Sequence, residues 1–443
     1  MTGLVLLSFV IAVSVLVLLG YLAASFFWPR GLSQGTLWAF APATGAGICS
    51  LIFFIFRRPM FTIEFALLLI LGIAWFVRRR PRLSHSDSSL RLPITCLLLA
   101  AIVGFVFAGL LSAVSRNPHG DWDAFAIWNS HARYLYRDGP GWEEHIQNTF
   151  QPDYPLLVPI MNARVWRYMG QEVPDTGGLL GIVLTLSGVA VLIATLIELR
   201  NMRLAMLMGL VLLGTPFYID HGVSQAADVP LSLYFLSAIA LLCLYSDRAS
   251  GHPGLLILAG FMAGCASWTK NEGMLFVLAF SLMLLASGLT SPWMALRRFA
   301  AFGIGLFLPF AVMVYFKMAI APPSELITNL HSAEIVEKLL TPDRYVDILV
   351  SFSQTLWSFG NWAVHPLVAL LVFILIRGVN GAAIRNPGWL VGAGTLTLVF
   401  AGYFALYVIT PYDLYWHLDS SAPRLFLQLW PSSLLLTGLL AVQ

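Results

Sequence analysis

Apolar runs long enough to cross a hydrocarbon layer recur along the whole chain. They lie near 3–28, 36–56, 60–77, 93–114, 177–197, 203–219, 229–246, 254–268, 274–290, 299–318, 361–376, 388–409 and 425–442. A helix rises about 1.5 Å per residue, so roughly 20 apolar residues span a bilayer core about 30 Å thick. Inside lipid every backbone N–H and C=O must be satisfied within the segment, so each run reads as a helix. The expected fold is all-α: a polytopic membrane protein with about 13 transmembrane helices. Composition agrees, because 58% of the 443 residues are hydrophobic and only 11% are charged. No soluble domain needs that much apolar surface. The first run is too long for the core of a signal peptide, so it reads as a span. Cys49, Cys96, Cys243 and Cys265 all fall in apolar stretches, so neither a disulfide nor a metal cage is expected of them.

Arginines orient the chain. Arg78, Arg79, Arg80, Arg82 and Arg91 crowd one loop; Arg200 and Arg203, Arg297 and Arg298, and Arg377 and Arg385 crowd later ones. Placed in the cytoplasm, they put the loops 115–176 and 319–360 outside, with Arg57 and Arg58 on the unfavoured side. Of 22 acidic residues, only Asp87, Glu198 and Asp247 then face the cytoplasm. Acids do not set topology, so their gathering on the outer face calls for a separate cause, and the chemistry is expected there. The basic stretch 78–91 separates the helices of 1–92 from a second unit, 93–443, which holds both outer loops. The second loop carries Glu325, His331, Glu334, Glu337, Lys338, Asp343, Arg344 and Asp347.

The stretch 116–175 is the longest that a bilayer would not accept. Asp121 and Asp123 bracket Trp122 directly after an apolar helix. Phe125, Trp128, Ala132 and Leu135 then recur at helical spacing, and a second helical run, LLVPIMNARVWRYMG, follows Pro152-Asp153-Tyr154-Pro155. The first large outer loop thus holds two amphipathic helices, expected to lie on the interface. Desolvating a carboxylate costs several kcal/mol unless it is paired, so an aspartate pair at a helix exit points to chemistry. One can act as a base toward a hydroxyl, and the other can pair with an arginine or bind a divalent cation. Asp123 can equally be a helix N-cap, which leaves Asp121 as the expected base.

Three further clusters share that face. Asp228 stands at the mouth of an apolar helix with Pro230 just inside, a pattern that also suits a plain helix start. Lys270 and Glu272 sit in a connection too short to be a free loop, either as a surface ion pair or with Lys270 as a phosphate ligand. His417, Asp419 and Arg424 precede the last apolar run, and Arg424 either meets a lipid phosphate or anchors the helix by snorkelling. No Walker loop, nucleophile elbow or zincin spelling occurs, so no nucleotide, nucleic-acid or hydrolase site is indicated. His119, Asp121 and His131 could collect a metal, but their spacing is not diagnostic.

In order and sidedness these stretches resemble the GT-C superfamily of membrane glycosyltransferases. The branch they resemble holds the protein O-mannosyltransferases and the bacterial lipid A aminoarabinose transferase. The likeness rests on the acidic pair Asp121 and Asp123, followed by Tyr154 and Pro155; on ADVPLSLYFL around Asp228; on ASWTKNEGMLFVLAF around Lys270; and on the loop leading into Arg424. It implies an enzyme of GT-C-like fold in a bacterial inner membrane, its site facing the periplasm. That enzyme would move a sugar from a polyprenyl-phosphate donor to a hydroxyl of a glycan, lipid or protein. Asp121 and Asp123 would be catalytic, and Lys270 and Arg424 would hold the donor phosphate. Tyr154, Asp228, Glu272, His417 and Asp419 would contact substrates. No cofactor is implied beyond the divalent metal that the carboxylates could bind. A ligase or polymerase of lipid-linked glycans shares this donor chemistry, whereas a transporter would set its ionisable residues at mid-membrane.

The sidedness is testable by single cysteines placed in a cysteine-free background. An impermeant thiol reagent added outside should label positions in 140–150 and 325–345 and spare 82–90. The reverse pattern refutes the orientation.

Overall fold

The computed structural model describes residues 2–78, 94–247, 251–288, 291–324, 328, 332–362 and 365–442. The arginines at 79, 80, 82 and 91, together with Glu325 and His331, lie outside these residues. Each expected apolar run coincides with a helix. Among the described residues, eight helices are long and apolar enough to cross a membrane, or up to ten if each of two bent pairs is one span. The count falls short of thirteen because Pro253–Thr269, Glu272–Ala286 and Pro366–Arg377 are short, because the 203–219 run breaks at Gly214 into Met202–Leu213 and Pro216–Val223, bent by 64°, and because Leu414–Leu440 is not among the eight. No strand forms among the described residues apart from one isolated bridge, Val379 with Ala441.

The central helix is Asp228–Asp247. It is apolar on all sides and buries every residue from Asp228 to Leu244, as expected of a helix without a polar stripe. Pro253–Thr269, Leu414–Leu440, Thr176–Leu199 and Pro387–Ile409 pack around it. Small residues let neighbouring helices close up where no hydrophobic force acts between them. A methyl group at Gly260 would fall 1.9 Å from the Phe302 carbonyl oxygen, and one at Gly305 would fall 1.8 Å from that of Ile257.

The helices before residue 78 share one hydrophobic cluster with the rest of the chain. One buried polar tie is Arg164, whose guanidinium grips Glu64 with two bonds of 2.6 and 2.8 Å and reaches the Ala12 carbonyl at 3.1 Å. Both side chains are fully buried. Arg164 belongs to Leu157–Met169, the second helix of the 116–175 loop. That helix therefore does not lie on the interface as expected: it is inserted among Gly3–Ser25, Gln34–Phe56 and Asn129–Arg137, which bury most of it. The first loop helix departs from its expected register too. Ala124–Trp128 is a π-helical turn, and its wider winding rotates Phe125 out to 59% exposure while Trp128, Ala132 and Leu135 stay buried. Arg57, on the unfavoured side by the charge rule, is held there: it donates to the Gly139 carbonyl at 2.6 Å and stacks on Trp142.

Removing one partner of a buried ion pair strands the other charge. Glu64→Ala should lose about 3–5 kcal/mol, seen as a lower thermal midpoint in detergent, and adding Arg164→Met should restore most of it. An unshifted midpoint in the single variant would show that the pair does not hold these helices.

Candidate active site

Asp228 is the first residue of the central helix and is wholly buried, so its carboxylate needs partners. It finds four donor groups. Lys270 Nζ lies 2.9 Å and Gln428 Nε2 2.7 Å from Oδ1; Arg424 Nε and its terminal nitrogen lie 2.9 and 2.8 Å from Oδ2. The three donor residues come from different turns of chain that the apolar helices bring to one end of the bundle. Lys270 leaves Pro253–Thr269 with extended backbone, and its Nζ also pairs with Glu272 at 2.8 Å. Arg424 does not open its helix, as the apolar pattern suggested, because that helix begins at Leu414. Gln428 follows Arg424 by one turn, reaches Glu272 at 3.3 Å, and accepts a 2.6 Å bond from the Tyr403 hydroxyl.

Arg424 also reaches out of the bundle. Its second terminal nitrogen pairs with Asp123, and both side chains are about a quarter exposed, 23% and 25%. The expectation that Asp123 caps a helix fails: helical backbone begins at Trp122, and Asp123 makes no capping bond. Asp121 is the residue that precedes the helix. It is exposed, and its carboxylate receives a long 3.4 Å contact from Asn117.

Buried amides fix the height of the loop aspartates. Asn162 donates to Asn129, Asn129 to Gln225, and Gln225 to the Pro118 carbonyl, each at 2.8 Å. Gly120 turns in the left-handed region (φ 71°), where an added methyl would sit 2.6 Å from the Ser224 carbonyl oxygen. The next residue, Asp121, donates its N–H to that same carbonyl at 3.2 Å.

A second clamp holds the Tyr-Pro segment. Asp153 is buried; it receives Asn271 at 2.8 Å and Lys317 at 3.0 Å. Tyr154 lies against Trp128, ring centres 5.5 Å apart. Burial pushes its phenol well above the usual range, with Lys270, Glu272 and Arg424 among the charges it feels. Beneath this segment, His131 is fully buried with Nε2 2.7 Å from the Thr149 hydroxyl.

Of the residues singled out by sequence, Asp123, Asp228, Lys270, Glu272 and Arg424 form one ion network, with Tyr154 beside it and Asp121 at its edge. His417 and Asp419 do not join. His417 bonds Thr410 at 2.8 Å and packs on Tyr407 and Tyr412, whereas Asp419 lines a separate cleft. Sequence reading missed Gln428, Tyr403 and the Asp153–Lys317 pair as members of the site. Gln428 carried a signal, since an amide within an apolar helix one turn from an arginine asks for a partner. Among the described residues no group of three or more His, Cys, Asp or Glu is placed to hold a metal; His119, Asp121 and His131 do not converge.

Burial lowers the His131 imidazole to about 4, against the pull of a bond with the Phe150 backbone and of Asp153. Unfolded, such a ring takes its proton near 6.5, so the unfolded chain binds more protons between the two values and stability falls as pH drops through that window. Thermal midpoints at pH 7 and 4.5 should show a drop that His131→Gln reduces by about 1–2 kcal/mol. Equal drops in both proteins would mean that the ring is not kept neutral.

No curated protein and no solved structure matches the chain. Residues 169–324, which contain Asp228, Lys270 and Glu272, match the family described as dolichyl-phosphate-mannose-protein mannosyltransferase. With the all-helical fold and its membrane-length helices, that match supports a membrane glycosyltransferase of GT-C type.

Proposed function

We propose that the protein transfers a sugar from a polyprenyl-phosphate donor to an acceptor hydroxyl at the outer face of a bacterial inner membrane. The observation that carries this reading is an exposed carboxylate, Asp121, at the edge of a network that holds two cations, Lys270 and Arg424, where the helices end. The lipid tail lies in the bilayer beside those helix ends, and its phosphate comes level with the cations. The acceptor oxygen attacks the anomeric carbon, the bond from that carbon to the phosphate oxygen breaks, and the acceptor proton passes to Asp121. The lipid phosphate leaves with the bonding electrons, and Arg424 and Lys270 stabilise its charge. The acceptor is a glycan, lipid or protein that bears the hydroxyl.

The two loop aspartates have different parts. Asp123 is engaged by a guanidinium, whereas Asp121 has no ion-pair partner among the described residues. The two cations already face three carboxylates, Asp123, Asp228 and Glu272. An arriving phosphate therefore has to displace one. Asp123 is the one to yield, because it is partly exposed and sits on a loop, whereas Asp228 is buried under four bonds.

Opposite signs are expected for the two substitutions. Asp121→Asn should leave donor affinity unchanged and lower turnover by roughly 10²–10⁴, the worth of general-base catalysis. Asp123→Asn frees Arg424 and should tighten donor binding by up to about fivefold, the worth of a partly exposed ion pair. Donor binding can be followed by titrating a short-chain polyprenyl-phosphate sugar into the detergent-solubilised protein, and turnover by release of the lipid phosphate. Near-normal turnover in Asp121→Asn removes it as the base, and weaker donor binding in Asp123→Asn refutes the displacement.

A further inference from the structure

A cleft of about 700 Å³ opens beside the ion network, between Pro342–Ser358 and the first turns of Leu414–Leu440. Its chemistry differs from that of the network. One wall presents Ser351, Gln354, Thr355 and Ser358 at helical spacing, continued by Asn361 beyond the helix end. Each wall carries a carboxylate: Asp419 lines the facing helix, and Asp347, on the same helix as the serines, accepts a 2.8 Å bond from the Tyr415 hydroxyl. Phe217 and Phe359 supply aromatic surface. Among the described residues, no lysine, arginine or histidine lines the cleft.

This lining selects a ligand class. A phosphate or other anion would meet two carboxylates and no cation. A prenyl chain would leave a row of hydroxyl and amide groups without partners, at a cost for each. A neutral polyhydroxylated chain satisfies both sides: its hydroxyls donate to the carboxylates and exchange bonds with Ser, Thr, Gln and Asn, while its C–H faces lie on the aromatic rings. The end of the cleft is held in shape. Gly360 and Asn361 both take left-handed backbone, φ 87° and 56°, and Gly360 abuts Thr215, which accepts a bond from Trp430.

The cleft also leads to the chemistry. Pro423 lines it and Arg424 is the next residue. Phe217 stacks on His221 with ring centres 4.1 Å apart, and His221 lies within electrostatic reach of Asp228, Arg424 and Asp121. We infer that the cleft between Pro342–Ser358 and Leu414–Leu440 binds a neutral saccharide, the acceptor of the transfer proposed above. The inference rests on that reading for the word acceptor, and on the cleft alone for the saccharide.

The test uses the full-length protein in nanodiscs and saturation-transfer NMR. The probes are maltoheptaose, mannotetraose and chitotetraose, with trigalacturonate as an anionic counterpart. At least one neutral saccharide should receive saturation from the protein, and trigalacturonate should not. Gln354→Trp, which fills the cleft, should weaken that binding by roughly tenfold or more, the scale on which a pocket rejects a misfitting group. Asp419→Lys gives a second reading that does not depend on filling the cleft, because it should admit trigalacturonate. Absence of binding by every neutral probe, equal binding of trigalacturonate to the unaltered protein, or binding untouched by both substitutions overturns the inference. Binding of a polyprenyl-phosphate sugar is measured alongside and should be the same in Gln354→Trp as in the unaltered protein. Its loss in that variant would mean that the cleft takes the donor and would overturn the saccharide assignment. An unaltered protein that binds saccharide but no polyprenyl-phosphate sugar fails as the proposed transferase, and the cleft assignment stands.

Discussion

A carboxylate taken out of water at the mouth of an all-apolar helix sets the terms for this bundle. Burial of Asp228 costs several kcal/mol unless every lone pair finds a donor, and removal of any one donor re-exposes part of that cost. The donors come from Lys270, Arg424 and Gln428, on two other segments, and Tyr403 on a third helix fixes the Gln428 amide. The central helix has no polar stripe that would tell its neighbours how it should be rotated. In an apolar surrounding such a helix can turn or slide at little cost, so the ion contacts at its end supply the register that side-chain hydrophobicity does not. Close helix packing at Gly260 and Gly305 then locks the distances.

Arg424 is the one member of the network that belongs to both the bundle and the loop. On one side it meets the buried Asp228, on the other the partly exposed Asp123. The loop could not offer Asp123 at this distance if it were free to move. It is held by the amide chain from Asn162 to Pro118, by the Gly120 turn against Ser224, and by Asp153 under Lys317 and Asn271. These are neutral or internally paired contacts. They fix the loop without adding charge to the place where the reacting phosphate is proposed to sit.

Much of the fold was legible because lipid leaves the backbone so little choice: a long apolar run has to be helical, and each such run is. The gathering of the site residues was legible too, since Asp123, Asp228, Lys270, Glu272 and Arg424 share one end of the bundle. What periodicity could not supply was partnership across the chain. Arg164 reads as the polar face of an amphipathic helix until Glu64, 100 residues away, is seen to neutralise it inside the protein. The π-helical turn at Ala124–Trp128 was hidden for another reason, since it changes the winding for one turn only and leaves the apolar residues almost in phase. His417, for which the resemblance implies substrate contact, lies apart from the network, with its ring engaged by Thr410 and two tyrosines.

The charge count in the network bears on how such a site can hold an anion at all. Three carboxylates around two cations leave the site negative by one, which opposes a lipid phosphate unless a carboxylate withdraws. The three are not equally able to do so. Withdrawal of Asp228 would take a partner from both cations at once, and Glu272 shares Lys270 and Gln428 with it. Asp123 alone can be rehydrated cheaply, being a quarter exposed and bound to a single guanidinium. On the proposed mechanism, donor arrival therefore acts first on the loop that carries Asp121. The phosphate takes the place of Asp123 on Arg424, so the site carries no more carboxylate charge than its two cations offset, and the neighbouring Asp121 is left as the carboxylate beside the acceptor. An arginine suits this exchange better than a lysine, since its planar fork keeps two nitrogens on Asp228 while the third changes partner.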